Sequence, residues 1–285
     1  MSLRCAALCV VLLAGAASSL GAHDFWLVPD AFGVTPGGRI AVSAQTSSLF
    51  PTSLSAVSED RIVTARVMTA DTTVLIRGAA VAGNSLRLVH PATRQGQHLI
   101  GVQLSARSVR ESPASFRRYL DLEGAPEARQ RYEREGLLPP DGGDSLTRRY
   151  AKYAKTVVEV GRGPRAFRRV MGHPLEFVPL NDPSAVRRGD TLRFQLLLHG
   201  SPLPFAKTHA GFVSGAGGLR DTAAARRAAR RDVALMTDSS GRVVLVASSD
   251  GLWNIRTLHI VPAPRESGAD WDVHWATVVF TVKQR

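Results

Sequence analysis

Short β-branched or alternating runs, each closed by a Gly, Pro or Asn turn, recur along this chain and restrict it to a β-rich fold. Residues 39–45, 61–68, 73–77, 85–89 and 98–104 are such runs, separated by Pro36-Gly37-Gly38, Gly83-Asn84 and Gln95-Gly96. A second series covers residues 175–179, 191–198, 206–213, 233–237, 243–247, 253–260 and 274–282, with TDSSG and SSDG turns between them. Regular short strands with this punctuation predict β-sandwiches, the second of them immunoglobulin-like or transthyretin-like.

The stretch between the two series changes character. SPASFRRYLDLEG (112–124) opens on Ser112-Pro113 and closes on Gly124, which are helix entry and exit signals. PEARQRYEREG (126–136) repeats the pattern, with Pro126 at the first position and Gly136 at the stop. LTRRYAKYAKTVVEVG (146–161) puts Tyr150, Tyr153 and Val157 on one helical stripe, with Arg148, Lys152 and Lys155 beside it, and predicts a third helix. The expected architecture is mainly β, with two β-sandwich units joined by a helical insert. The first sandwich spans 23–110, the insert 111–171 and the immunoglobulin-like sandwich 172–285.

Residues 1–22 read as a secretory signal: Arg4, then an apolar run from 5 to 17, then small residues toward a cleavage point. Cleavage after Ala22 makes His23 the first residue; cleavage after Gly21 leaves Ala22-His23. Either product has an amine close to an imidazole. No later run approaches about 18 apolar residues, so a soluble, periplasmic or secreted mature chain is expected. Cys5 and Cys9 both lie in the leader, which excludes disulfides and thiolate metal sites from the rest. Loss of Arg4 takes the formal charge from +12 to +11, a surplus that suits anionic surfaces. Export and the absence of a nucleic-acid motif argue against a nucleic-acid partner.

The chemistry-bearing residues are few. A terminal amine together with its own imidazole at His23 can chelate Cu(II) or Ni(II), which favour nitrogen ligands in tetragonal geometry. His259 follows Trp253, Ile255 and Thr257 on one strand face, and His274 precedes Ala276, Val278 and Phe280 on another. Both are therefore expected at the rim of a core face, with His259 as the expected distant partner of His23 and His274 as the second candidate. Asp24 and Asp272 are candidate acceptors that orient an imidazole. Arg226, Arg227, Arg230 and Arg231 share one face if helical and form a candidate patch for an anionic lipid or acidic partner. Trp26, Trp253, Trp271 and Trp275 read as core or interdomain anchors. The remaining histidines lack the spacing of a structural zinc site, and no nucleophile elbow, phosphate loop or paired-carboxylate motif stands out.

AHDFWLVP after the leader, RRYAKYAKTVVEVG, GHPLEFVPLNDP, GDTLRFQLLLHGSPL, TDSSGRV, GLWNIRTLHI and DWDVHWATVVFTV, in that order, resemble one family. It is a periplasmic family of largely unknown function, sometimes grouped with periplasmic components of nickel and cobalt uptake systems. The resemblance runs from His23 to the C-terminus. Position by position, the family's post-signal histidine falls on His23, its Arg-Tyr-Ala-Lys helix on Arg149, Tyr150, Ala151 and Lys152, and its strand-closing histidine on His259. The chain departs from the pattern at DTAAARRAARRD (221–232), where a short hairpin link is expected.

The resemblance implies an exported binding or accessory protein for nickel, cobalt or copper in uptake or homeostasis. A nickel or copper ion would be its only cofactor, with no organic group, and a transporter permease or envelope component its partner. Two other readings stay open: a histidine-brace copper oxidase acting on polysaccharide, and an envelope interaction module without metal.

Overall fold

A computed structural model describes residues 23–123, 126–214 and 232–285. The chain is mainly β, with three sheets and two short α-helices. Its strands are β1 (Asp24–Pro29), β2 (Gly33–Val34), β3 (Arg39–Ser47), β4 (Ser55–Ala56), β5 (Ile62–Met68) and β6 (Thr73–Leu75). There follow β7 (Ala79–Ala82), β8 (Ser85–Pro91) and β9 (Gly96–Glu111), then α1 (Pro113–Leu122) and α2 (Pro126–Arg134). The long β10 (Leu146–Val160) leads into β11 (Leu175–Pro179), β12 (Thr191–Leu198), β13 (Ser201–Pro202) and β14 (Lys207–Val213). The last strands are β15 (Val233–Met236), β16 (Arg242–Val246), β17 (Gly251–Pro262) and β18 (Trp271–Val282).

A nine-stranded sheet runs through the middle in the order β15-β14-β17-β18-β10-β9-β5-β6, with β2 also on β10. One face carries Trp271, Val273, Trp275 and Val279 and is called the front here. The five-stranded sheet (β1-β3-β8-β7, with β4 on β3) covers part of it. Their shared core joins Phe25, Leu27, Ile40 and Leu86 to Ile100, Val102, Ala154 and Val158. The helices cover another part, where Phe116, Leu120 and Tyr132 pack on Ile260, Trp271, Val273 and Trp275. The four-stranded sheet (β11-β12-β13, with β16 on β12) covers the back. There Phe177, Leu192 and Phe194 meet Phe212, Trp253, Ile255, Val278 and Phe280. Hydrophobic cores therefore pack on both faces of one sheet.

The predicted runs at 175–179 and 191–198 match β11 and β12; β3, β8, β9, β17 and β18 extend beyond their runs, β5, β6, β14 and β15 stop short of theirs, and β16 is shifted by one residue. Both predicted helices form where their punctuation places them. Ser112 caps α1, its hydroxyl accepting the Ser115 amide at 3.2 Å, with Pro113 in the first turn. Gly136 takes φ +67 just after α2. Its amide bonds to the Glu133 carbonyl and that of Leu137 to the Tyr132 carbonyl, a Schellman ending that favours glycine at the left-handed position.

The third predicted helix is corrected: residues 146–160 form β10, so helix in the insert is confined to α1 and α2. β10 pairs antiparallel with β9 and parallel with β18, and both of its faces are buried along most of its length. A strand buried on both sides loses the apolar/polar alternation that identifies a half-exposed one. The Tyr150–Tyr153–Val157 spacing is also not one face. Three residues apart on one strand, Tyr150 faces the front and Tyr153 the back by simple alternation.

All four tryptophans are buried, in keeping with their reading as anchors. Trp26 meets Phe50 edge-on at 5.2 Å, Trp253 stacks on Phe212 at 4.5 Å, and Trp271 lies against Phe116 and Tyr132. Among the described residues no helix is long and apolar enough to cross a membrane.

Candidate functional site

β17 and β18 run antiparallel, and their register pairs His259 directly with His274. Directly opposite residues share a face, and alternation from Ala276 and Val278 sets that face as the back. A third ring joins from the four-stranded sheet. His199 and Gly200 form the two-residue link of the β12–β13 hairpin, with φ of +49 and +82. Positive φ at both positions is the type I′ geometry that matches strand twist. The His199 ring stands 5.6 Å from that of His274, nearly perpendicular to it.

Tyr153 on β10 fixes the orientation of His274. Its hydroxyl lies 3.1 Å from His274 Nδ1, and the two rings stack with 6.1 Å between centroids. The ring of His173 also lies 5.6 Å from that of Tyr153. Burial first, and neighbouring positive groups second, push His259 down to about 4. Burial also pushes His274 to about 4, against the opposing pull of Asp272. Both rings are neutral at ordinary pH, the form in which imidazole binds a metal. Among the described residues, no three His, Cys, Asp or Glu side chains are already arranged to hold an ion.

Asp272 faces this cluster but makes a two-point pair with Arg149, at 2.7 Å from Nε and from Nη2. Its expected role of orienting an imidazole by hydrogen bond falls instead to Tyr153. A cleft of about 170 Å³ adjoins, lined by Arg149, Tyr153, Asp272, His274 and Gln103 among others.

His23 lies elsewhere. Its carbonyl accepts from Lys152 Nζ, and Lys152 is the register partner of Trp275. Trp275 follows His274 directly, and neighbours on a strand point to opposite faces. His23 therefore belongs to the front and His259 and His274 to the back, so the expected His23–His259 pairing is not formed. The body of the nine-stranded sheet separates them.

Asp24, expected to support His23, sits in a front-face ionic pocket instead. Its carboxylate pairs with Arg256 Nε at 3.0 Å, and Arg256 also binds Asp232 and Asn254. A cavity of about 190 Å³ opens beside it, lined by Asp24, Ser48, Glu123, His209, Arg256 and Trp275 with Lys207, Leu122 and Leu258. Burial raises the Asp24 carboxyl despite Arg256 and Lys152. Burial and the Asp24 charge raise Glu123 to about 7. Burial lowers Lys152 to about 8 and His209 to about 4. Perturbed groups gathered around a cavity make it a candidate functional site.

Arg226, Arg227, Arg230 and Arg231, and the leader with its cleavage point, lie outside the described residues. Sequence reading missed His199, Tyr153, Glu123, His209 and Arg256 as site residues. Only His199 carried a local signal, its His-Gly pair between two strand-like runs.

A family model described as a domain of unknown function, DUF4198, matches residues 20–261. No curated protein matches the chain in sequence. Among solved structures, the Yersinia pseudotuberculosis adhesin InvE is 15% identical, with 89% of this chain and 58% of that one covered and a TM-score of 0.21. The Escherichia coli adhesin FdeC is 12% identical, over 91% of this chain and 63% of that one, at a TM-score of 0.23. Elastase-activated Escherichia coli alpha-2-macroglobulin is 11% identical, over 92% and 20%, also at 0.23. The chain thus spans less than two thirds of each, and overlap this loose transfers none of their properties to it.

Proposed function

The chain belongs to the DUF4198 family of domains of unknown function, and from that premise we propose that it is an exported binding protein for a transition-metal ion, not an enzyme. Nickel, cobalt or copper is the cargo, and a permease or envelope component in the periplasm receives it. The two sheet pairs act as immunoglobulin-like sandwiches that share the central sheet and hold the metal-facing residues on rigid strands.

The observation that carries this reading is the back-face cluster of His259, His274 and His199 with Tyr153 behind it. The donor set fits ions that prefer nitrogen ligands. His259 and His274 are held neutral and side by side, and the Tyr153 contact at Nδ1 leaves His274 Nε2 for the ion. An open set of two or three imidazoles suits an ion in transit better than a structural one, which takes four closed ligands. The histidine-brace reading finds less support, because the partner proposed for His23 lies across the sheet from it.

Titration calorimetry of the processed protein with Ni(II) tests the proposal. We expect His259→Ala and His274→Ala each to weaken binding by about tenfold or more, and Tyr153→Phe to weaken it by about tenfold through loss of the orienting contact. A Gly-Ser extension ahead of His23 should leave the affinity unchanged. The reverse pattern, with the extension abolishing binding and the three variants binding normally, would place the ion on the N-terminus and overturn this assignment.

A further inference from the structure

The front-face cavity holds a combination that the metal reading does not use. Asp24 is only 9% exposed, yet its Oδ1 has no hydrogen-bond partner among the described residues. A buried acceptor left without a donor is costly unless something supplies one. Glu123, at the end of α1, lines the same cavity, and no described residue hydrogen-bonds its carboxyl. The neighbouring cations are largely committed. Arg256 is engaged by Asp24, Asp232 and Asn254, and Lys152 donates to the His23 carbonyl, while Lys207 is half-buried on the wall. Among the described residues, the unmet demand in the cavity is thus for N–H donors carrying positive charge.

The walls are of the matching kind. Trp275 offers an indole, and Leu122 and Leu258 offer apolar surface, so an alkyl chain behind an ammonium head has somewhere to lie. From Asp24 Oδ1, Glu123 and Trp275 around one cavity of about 190 Å³, we propose that this pocket binds a small organic ammonium compound, its N–H groups bonded to the two carboxyls. The size limits the ligand to a short amine. Asp24 stands next to His23, and the backbone there is anchored through Lys152 and through Thr277, whose hydroxyl donates to the Phe25 carbonyl. A bound amine would supply the donor that Asp24 Oδ1 lacks. The site is independent of the back-face histidines.

The test titrates the folded protein with n-butylammonium chloride, n-butanol and sodium butyrate, followed by calorimetry and Trp fluorescence. The ammonium salt should saturate and the other two should not. Asp24→Asn should weaken ammonium binding by about tenfold or more, the scale of one charge-assisted hydrogen bond. Because Asp24 also pairs with Arg256, Glu123→Gln provides a second variant that leaves that pair intact, with a several-fold loss expected. The proposal is overturned if the alcohol or butyrate binds as well as the ammonium, if nothing saturates at high millimolar concentration, or if both variants keep full affinity.

Discussion

Single side chains here act mainly through their protonation states. His173, His209, His259 and His274 are each lowered to about 4, with burial the largest cause in every case. Between that value and the usual 6.5 the unfolded chain binds more protons than the folded one, so stability rises with pH across this window. The stability these neutral rings contribute is fully present above about pH 7 and drains away as pH falls toward 4. Glu123, raised to about 7, and Asp24, also raised by burial, work in the opposite sense but are two groups against four. We therefore predict a lower urea midpoint at pH 5 than at pH 7, each histidine costing on the order of 1–2 kcal/mol. An unchanged or higher midpoint at pH 5 would mean that the rings stay solvated. Some of this was legible beforehand: alternation from Ala276, Val278 and Phe280 correctly put His274 on a core face, and Trp253, Ile255 and Thr257 did the same for His259. The tyrosine behind them was not, because Tyr153 was read on a helix. His209 and Arg256 are register partners across β14 and β17, a pairing with no trace in either local sequence.

Elements were readable where local chemistry decides them. Ser112-Pro113 and Gly136 mark helix ends through caps that need only neighbouring residues. β10 was not readable, because its conformation is imposed by β9 and β18 on its two edges and by cores on its two faces. Propensity gives way to such surroundings. Buried polar groups along β10 show the same thing. Lys155 is fully buried and pairs with Glu176 at 2.6 Å, while Glu176 accepts the amides of Met171, Gly172 and His173. Amide hydrogen exchange checks the assignment. The backbone of residues 152–158 should be among the slowest in the molecule, opening only with global unfolding. Rapid exchange there, with slow exchange confined to 113–134, would contradict a central strand.

At the scale of the whole molecule, one continuous sheet separates two kinds of chemistry. The front carries His23 and the ionic pocket of Asp24, Glu123 and Arg256; the back carries His259, His274, His199 and Tyr153. The sequence runs predicted two separate sandwiches; the structure instead shows cores on both faces of one sheet, joined by parallel pairing of β10 with β18, a contact between segments far apart in the chain. That fusion also decides which histidines can meet. A chelate shared by His23 and His259 looks reasonable along the sequence and fails because the sheet stands between them. The central claim is that a transition-metal ion belongs to the back face. Its most direct test is imidazole NMR of the processed, nitrogen-15-labelled protein during substoichiometric addition of paramagnetic Cu(II). The account predicts that the ring signals of His259, His274 and His199 broaden first while those of His23 and His209 stay sharp. Early broadening of His23 with the back-face rings unaffected would contradict it.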